Sequence, residues 1–327
     1  MGSWLSTAWD PSTGISDLSG KVAVVTGANA GIGYATTIEL ARHGAKVYLA
    51  SRSENRALAA IEKMHAESPK IQKGNLIWLP LDLMDLESVV QAADTSMQKE
   101  ERLDLLVNNA GVATDSYQTT PAGFEVTMGV NHLAHSLFTV NLIPILKRTA
   151  AKDDSDVRVV TVSSSGHAML IPKHIRFDKL DDFKYHGMTS SPNFSSTRDL
   201  FSRYALSKLA NILFCKELQR RFDLEKVPIT SMTNNPGGTN TQGGMSVWPV
   251  WLRPVMSRLF VPASKGALPV LYQSGAPEIK RDPAKYKAVY FNPSCKIEAP
   301  SALARDGVLA KNLWKTSEEA LGTYIKG

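Results

Sequence analysis

Short apolar runs rich in β-branched residues alternate with amphipathic segments along most of the chain. Runs of this length predict strands, whereas apolar positions that recur every three or four residues predict helices. Strands are predicted at 21–26, 45–50, 75–81, 103–108, 157–163 and 228–234. Helices are predicted at 31–42, 53–66, 85–100 and 123–147, and a further helix carries Tyr204 and Lys208. The chain therefore alternates strand and helix.

The predicted strands are apolar along most of their length and do not alternate with polar residues. Strands of this kind are buried on both faces, as in a parallel sheet covered by helices. Because crossovers between parallel strands are right-handed, we expect one doubly wound α/β domain with a mostly parallel sheet. Such sheets bind ligands at the carboxyl ends of their strands.

Two long segments interrupt the alternation. Residues 166–202 are polar and aromatic, and residues 237–262 are rich in Gly, Trp and Pro. Long irregular segments inside compact domains are often lids or binding loops. We therefore expect an N-terminal arm at 1–17, a single domain at 18–327 and a substrate lid at 238–262 within it.

Composition narrows the functional classes. Of 327 residues, 43% are hydrophobic and 21% charged, as in an average soluble protein. The net charge is +6, but basic and acidic residues are interspersed, so we expect no nucleic-acid partner. Two cysteines, without a metal-binding spacing, predict a cytoplasmic protein that holds no metal.

The sequence also bears on membrane contact. It contains no apolar run long enough for a signal peptide or a membrane span, so we expect no transmembrane segment. Peripheral contact of Trp4 and Trp9 with a membrane surface stays open, and so does a homodimer.

The segment RYALSKLA (203–210) places Tyr204 and Lys208 four residues apart. Residues at that spacing share one face of a helix, and Asn211 continues the same stripe. Taken alone, the pair is compatible with a tyrosine at the edge of the core under a lysine stem. The other interpretation, which the rest of the chain has to support, is a catalytic phenol beside a cation.

A glycine-rich turn, VVTGANAGIGYA (24–35), joins the first predicted strand to the first helix. Gly27, Gly31 and Gly33 permit a tight turn and close approach of a ligand to the backbone. The free N–H groups and partial positive charge of a helix N-terminus favour a phosphate there. An ordinary structural turn is the alternative, because a glycine motif alone is weak evidence.

Six segments together resemble the short-chain dehydrogenase/reductase family, in family order and at compatible spacings. They are TGANAGIG (26–33), NNAG (108–111), Asn131 in GVNHLAH, Ser164 after the fifth strand, Tyr204-x-x-x-Lys208, and PGGT (236–239). YALSKLANILFCKEL and the C-terminal KYKAVYFNPSCKIEAPSALARD are most similar to the branch containing retinol dehydrogenases and WW-domain oxidoreductases. The resemblance implies a Rossmann-type fold and spans residues 18–321.

The resemblance also implies the chemistry. The family transfers a hydride between a nicotinamide cofactor and a carbonyl or alcohol carbon. Tyr204 is then the general acid/base, Ser164 a hydrogen-bond donor to the substrate oxygen, Lys208 the charge that tunes Tyr204, and Asn131 the holder of a relay water. Lowering the pKa of tyrosine from about 10 to neutrality requires about 4 kcal/mol. One cation ~4 Å away at an effective dielectric of ~20 supplies about that much.

The residue that ends the second predicted strand indicates the cofactor. NAD enzymes carry an acidic residue there, which hydrogen-bonds the ribose hydroxyl. In LASRSENR, Ser51 occupies that position, and the Arg52 guanidinium is suited to a phosphate. The sequence therefore predicts NADP(H). By resemblance, its binding residues are Gly27, Asn29, Gly31, Ile32, Gly33, Arg52, Asp82, Leu83, Asn109, Ala110, Gly111, Tyr204, Lys208, Pro236, Gly237 and Thr239.

The predicted substrate is a bulky, fairly apolar small molecule, similar to a retinoid, a steroid or a secondary metabolite. Its predicted walls are Met169, Tyr185, Met188, Met245, Trp248 and Trp251. A noncatalytic NADP-binding sensor or scaffold on the same fold is the alternative function. A serine hydrolase using SSSGH ranks lower, because that segment lacks the G-x-S-x-G elbow.

Overall fold

The fold is given by a computed structural model, which describes residues 9–188, 196–240 and 260–326. Its centre is an eight-stranded sheet with strand order 3-2-1-4-5-6-7-8. Strands β1 to β7 are parallel, and β8 pairs antiparallel with β7. The strands are β1 Val22–Thr26, β2 Lys46–Ser51, β3 Leu76–Pro80, β4 Leu105–Asn108, β5 Val157–Val162, β6 Ile229–Asn234, β7 Tyr290–Phe291 and β8 Ile297–Glu298.

Twelve α-helices lie within the described residues. They are α1 Pro11–Gly14, α2 Gly31–Arg42, α3 Glu54–Glu67, α4 Leu86–Lys99, α5 Val126–Met128, α6 Ala134–Ala150, α7 Thr197–Leu224, α8 Ala263–Gly266, α9 Leu268–Gly275, α10 Pro277–Arg281, α11 Pro283–Tyr286 and α12 Gly307–Leu321. Apolar side chains of α4, α6, α7 and α12 form the core on one face of the sheet. Those of α2, α3 and α9 form the core on the other face. The prediction of a single doubly wound α/β domain is confirmed.

The six predicted strands all form, with each end within two residues of its predicted position. The order reverses between β1 and β4, so the carboxyl ends of these neighbours open the crevice in which doubly wound sheets bind ligands. The two-residue strands β7 and β8 and the helices after residue 262 were not predicted. Strands that short carry almost no periodicity.

Two predicted boundaries were wrong. The helix expected at 123–147 begins at Val126, includes a π-helical turn at Gly129–Leu133 and ends at Ala150. The irregular segment expected to reach residue 202 ends earlier, because α7 begins at Thr197. There the side chains of Ser196 and Asp199 form a reciprocal capping box. Such a cap satisfies N–H groups that lack partners in the first turn.

Residues 9–17 of the predicted arm pack on the domain. The Trp9 ring contacts Tyr272 of α9 edge-on, with centroids 5.3 Å apart, and Ile15 is buried in the core. The Ser16 N–H donates to the Gly275 carbonyl. Trp4 lies outside the described residues. In the part of the chain that the structure describes, every helix is too short or too polar to cross a membrane.

Candidate active site

The glycine turn lies where β1 meets the N-terminus of α2. Gly27 and Gly31 have positive φ angles of 66° and 58°, which side chains disfavour. A Cβ on Gly33 would lie 2.3 Å from the Gly27 carbonyl oxygen, so the helix can approach the strand only with glycine there. Ala30 precedes the helix and gives it no side-chain cap, so the first N–H groups of α2 could bind an anion.

The turn after β4 fastens the glycine turn to the catalytic region. The Thr26 hydroxyl accepts hydrogen bonds from the N–H groups of Asn109 and Ala110, each at 2.9 Å. The Asn109 side chain donates to the Thr26 carbonyl at 2.8 Å and lies under Gly33. Gly111, at the other end of this turn, lies beside Asn131 and Lys208. Predicted cofactor and catalytic residues therefore share one hydrogen-bonded turn.

Asn131 lies in the π-helical turn, and its side chain acts as a clamp between Val112 and Ser207. Its Oδ1 accepts the Val112 N–H at 2.7 Å, and its Nδ2 donates to the Val112 carbonyl and the Ser207 hydroxyl, both at 3.0 Å. Both amide hydrogens are thus committed to protein groups. The clamp holds the segment after β4 against α7. A relay water, the role implied by the resemblance, would have to be held mainly by the Asn131 backbone.

His135 extends this clamp to the glycine turn. Its Nδ1 lies 3.2 Å from the Asn131 carbonyl and its Nε2 lies 2.9 Å from the Thr26 hydroxyl. Because a carbonyl only accepts, Nδ1 carries the proton and Nε2 accepts from Thr26. Burial lowers the pKa of His135 to about 4, so the ring is neutral. The spacing of GVNHLAH gave no sign of this bridge, since Thr26 is distant in sequence.

Of the three consecutive serines after β5, Ser164 is the one placed beside Tyr204. The Ser163 hydroxyl is buried and donates to the Lys208 carbonyl at 2.8 Å. The Ser164 hydroxyl accepts the Gly166 N–H at 3.1 Å, and Gly166 lies beside both this hydroxyl and the Tyr204 ring. Ser164 and Tyr204 can therefore address one substrate oxygen together.

Lys208 follows Tyr204 by one turn of α7. Its Nζ lies 5.6 Å from the centroid of the Tyr204 ring and donates to the Val162 carbonyl at 3.1 Å. Burial lowers the pKa of Lys208 to about 8, so the ammonium persists at neutral pH. The α7 stripe also includes Asn211, whose amide donates to the same carbonyl.

The role of Lys208 as the charge that tunes Tyr204 stays a prediction. Burial raises the pKa of the Tyr204 phenol, and the nearby Ser164 hydroxyl opposes this rise. Desolvation of the phenolate is therefore the larger of these two effects.

The end of β2 presents the residues predicted to select the cofactor. The Ser51 hydroxyl is buried and makes no hydrogen bond within the described residues. The Arg52 side chain is 64% exposed, and its Nη1 is 3.9 Å from Asp82 Oδ2. Asp82 also accepts the Met84 N–H, and Leu83 packs in the core. The unpartnered hydroxyl and the exposed guanidinium fit a phosphorylated ribose.

The sequence argument missed Arg56. It lies on α3 one turn after Arg52 and lines a groove of about 760 Å³ that the glycine-turn residues Asn29, Ala30 and Gly31 share. Arg56 therefore supplies a basic group next to a glycine turn that has none of its own. The available signal was its position in the first turn of the helix that follows Arg52.

The loop after β6 also lies near the N-terminus of α2. Gly237 has a φ of 77°, and its N–H donates to the Asn235 side chain at 3.0 Å beside Pro236. Buried Thr239 packs near Gly266, which in turn lies near Ile32 of α2. The structure thus brings the predicted binding residues of three loops around the carboxyl end of the sheet.

The predicted substrate walls are only partly described. Tyr185 and Met188 line a groove of about 610 Å³ in the segment before α7. The Tyr185 hydroxyl is 3.1 Å from the Ser202 hydroxyl. Met169 is exposed on the surface. Met245, Trp248 and Trp251, with most of the predicted lid, lie outside the described residues. The described flanks of the lid, Thr239 and Val261, pair as a β-bridge.

Comparisons with known sequences show similarity along almost the whole chain. Residues 21–174 match the family profile described as short chain dehydrogenase. A short chain dehydrogenase/reductase, dpchH, from Colletotrichum higginsianum is 47% identical over 314 residues, covering 96% of this chain and 77% of that protein. Retinol dehydrogenase 14 from Homo sapiens is 33% identical, covering 93% of this chain and 87% of that protein.

Solved structures show the same architecture. An uncharacterized protein from Mycobacterium Paratuberculosis is 28% identical with a TM-score of 0.71, covering 98% of this chain and 100% of that one. A short chain dehydrogenase from Escherichia coli CFT073, complexed with NADPH, has a TM-score of 0.62 at 24% identity, covering 85% of this chain and 98% of that one. At 24% identity, the similarity to the Escherichia coli protein shows a shared fold and nothing more.

Proposed function

Since the chain belongs to the short-chain dehydrogenase/reductase family, we propose that it is an NADP(H)-dependent oxidoreductase with Tyr204 as general acid/base. The proximity of the Ser164 hydroxyl and the Tyr204 ring, which both lie beside Gly166, carries the proposal. It offers one oxygen a proton from Tyr204 and a hydrogen bond from Ser164. The Lys208 ammonium one helical turn on stabilises the phenolate that remains.

The cofactor, when bound, supplies or accepts the hydride at its nicotinamide ring. The chain's part is to hold it and to move the proton. Gly31, Ile32 and Gly33 at the start of α2 would face its phosphates, and Asn109 would line the groove between β1 and β4. Lys208 and the turn ending at Gly111 would hold the nicotinamide ribose.

The choice of NADP(H) over NAD(H) is supported at the end of β2. The Arg52 guanidinium and the Arg56 side chain offer positive charge where a ribose phosphate would lie, and Ser51 adds an unpartnered hydroxyl. An acidic residue at the Ser51 position would repel that phosphate. The NADPH complex of the Escherichia coli relative agrees with this choice.

The proposed substrate is a bulky and fairly apolar carbonyl or alcohol. The predicted apolar walls and the likeness to a retinol dehydrogenase support this class. A retinoid, a steroid and a terpenoid secondary metabolite are its representatives. Binding of such a substrate would bring its oxygen to Ser164 and Tyr204 while the apolar skeleton extends toward the segments before α7 and after β6.

The experiment is a substrate screen with a matched pair of variants. NADPH oxidation is followed with retinaldehyde, progesterone and menthone for the wild type, Tyr204→Phe and Tyr324→Phe. We expect turnover of at least one probe by the wild type and Tyr324→Phe, and none by Tyr204→Phe, although both variants bind NADPH. Equal turnover by Tyr204→Phe rejects the assigned acid. NADPH binding without turnover of any carbonyl or alcohol in a wider screen favours the noncatalytic sensor or scaffold.

A further inference from the structure

His167 bridges two backbone groups from distant parts of the chain. Its Nδ1 lies 2.7 Å from the Ser164 carbonyl oxygen, and its Nε2 lies 3.0 Å from the Ser301 N–H. A carbonyl can only accept and an N–H can only donate. Nδ1 therefore carries the proton and Nε2 offers a lone pair. The two partners fix both the tautomer and the neutral state of the ring.

The surroundings of His167 favour the neutral ring. The side chain is buried, and its ring packs edge-on against Tyr290 of β7 with centroids 5.2 Å apart. Burial lowers the pKa of His167, while the Ser164 carbonyl and the carboxylate of Glu298 on β8 oppose this effect. A protonated ring would point a second N–H at the Ser301 N–H and break that bond.

The anchored carbonyl belongs to the serine placed beside Tyr204. The same carbonyl accepts the His167 backbone N–H at 3.1 Å, and the Ser164 hydroxyl accepts the Gly166 N–H. Backbone, carbonyl and hydroxyl of Ser164 are thus tied into the turn Ser165–Ala168. The imidazole of His167 connects this turn to Ser301 in the C-terminal segment.

The far anchor returns to the helix that carries Tyr204. The Ser301 carbonyl accepts the Arg305 N–H, and its hydroxyl accepts the Ala304 N–H, which fixes the short turn Leu303–Arg305. That turn packs on α7. His167 therefore connects Ser164 to Ser301, and through the turn after Ser301 to α7, which carries Tyr204. In this way the C-terminal segment contacts the elements that hold both hydroxyl groups.

We propose that His167 is a positioning residue for hydride transfer, and that its neutral imidazole fixes Ser164 against the C-terminal segment so that Ser164 and Tyr204 meet one substrate oxygen. This inference rests on the proposed function. His167 touches neither of the two hydroxyl groups in this role and acts through the Ser164 backbone. A misplacement of about 1 Å at a reacting group can lower turnover by about a hundredfold.

Three variants separate the two hydrogen bonds. In His167→Asn, the amide Nδ2 can replace the donor to Ser164; in His167→Gln, Oε1 can replace the acceptor for Ser301. His167→Phe keeps a ring against Tyr290 and loses both bonds. His65→Gln on α3 is the control. We expect kcat with the best of retinaldehyde, progesterone and menthone to fall about 10–100-fold in His167→Phe. Asn and Gln should each restore part of it.

The accompanying measurements distinguish positioning from general damage. NADPH binding, followed by fluorescence, should stay within about twofold of wild type in all His167 variants, and KM should change less than kcat. Wild-type turnover in folded His167→Phe overturns the proposal, and so do parallel losses of NADPH binding and kcat in all three variants. If His167→Phe does not fold, the Asn and Gln variants decide the question by the same criteria.

Nitrogen NMR tests the contact without turnover. In the wild type, the His167 signals, assigned by their loss in His167→Asn, should show a protonated Nδ1 and an unprotonated Nε2. The opposite tautomer overturns the proposal. If the tautomer is as expected but no carbonyl or alcohol is turned over, the proposed function fails, and with it the catalytic part of this inference. Loss of activity in Tyr204→Phe but not in His167→Phe rejects the inference alone.

Discussion

The Thr26 hydroxyl and the His135 ring are joined across 2.9 Å, although 109 residues separate them in the chain. Thr26 lies in the glycine turn, and His135 donates its Nδ1–H to the Asn131 carbonyl on its other side. One buried contact thus links the proposed cofactor site to the proposed catalytic asparagine. A substitution of Thr26 should therefore affect both the cofactor site and the position of Asn131.

We expect Thr26→Val to destabilise the protein and weaken NADPH binding. The substitution keeps the side-chain shape but leaves the Ala110 N–H and the His135 Nε2 without their partner, while the Asn109 N–H keeps the Val107 carbonyl. An unsatisfied buried group costs about 1–3 kcal/mol, so the free energy of unfolding should fall by about that much. Urea unfolding and NADPH titration measure the two effects.

Thr36→Val is the matched control for this prediction. Thr36 is as buried as Thr26, but its hydroxyl makes no hydrogen bond within the described residues. Removing an unpartnered hydroxyl should be neutral or stabilising. Equal destabilisation by the two substitutions would show that the Thr26 hydrogen bonds contribute nothing beyond the burial of its methyl group.

Much of the fold could be predicted because it depends on local patterns. The six apolar runs became β1 to β6, and the glycine turn between β1 and α2 has the positive φ angles that its residues permit. The proximity of Ser164 and Tyr204, separated by forty residues, could be expected only through family resemblance. No periodicity within residues 166–202 indicates how that segment folds back.

The remaining features depend on tertiary contacts. The π-helical turn around Asn131 adds one residue to a helix whose apolar pattern looks continuous. The clamp from Asn131 to Ser207 and the bridge made by His167 join segments far apart in sequence. The direction of the Tyr204 pKa shift also depends on tertiary contacts, because these contacts bury the phenol. From the sequence alone, only the neighbouring cation Lys208 can be identified.

Arg52→Ala should change cofactor preference. A hydrogen bond to a charged partner contributes about 1.5–3 kcal/mol, so NADPH affinity should fall about 10–100-fold. NADH lacks the phosphate, so its affinity should change little. Titration of both cofactors against Arg52→Ala and the exposed control Arg281→Ala measures this. Equal losses for NADPH and NADH would refute the contact between Arg52 and the phosphate.

Catalytic efficiency should fall as the pH rises through about 8. Burial lowers the pKa of Lys208 to about 8, so the ammonium is present below that pH and is lost above it. The pH dependence of kcat/KM reports groups of the free enzyme, and Tyr204, whose pKa is raised, adds no limb in the neutral range. Lys208→Arg keeps its charge, so whatever activity it retains should persist above pH 8. An unchanged alkaline limb in that variant would assign the limb to another group.

The same shift predicts how stability varies with pH. The unfolded lysine has a pKa of about 10.4, so between about pH 8 and 10.4 the unfolded chain binds more protons than the folded one. Stability relative to Lys208→Met should therefore rise with pH across this window and stay constant below it. Urea midpoints at closely spaced pH values test the sign. A difference that falls across the window contradicts the desolvation of Lys208.

Arg203 should be a major contributor to stability because it ties three segments beside the site. Its side chain and that of Glu125 are both almost fully buried, 3.6 Å apart, and its guanidinium donates to the carbonyls of His186 and Thr114. Burial already raises the pKa of Glu125. Arg203→Met would leave that carboxylate buried without its cation. Breaking a buried pair in this way costs about 3–5 kcal/mol.

The control lies on the same helix. Arg198 is exposed in the first turn of α7, so Arg198→Met should change the free energy of unfolding by no more than about 0.5 kcal/mol. Urea unfolding of both variants at pH 7 measures the contrast. Acid should reduce the cost of Arg203→Met, because a protonated Glu125 no longer needs a cation, and the raised pKa places this change above the ordinary glutamate range. A cost that is independent of pH would mean that Arg203 stabilises the protein through its carbonyl contacts and packing instead of the ion pair.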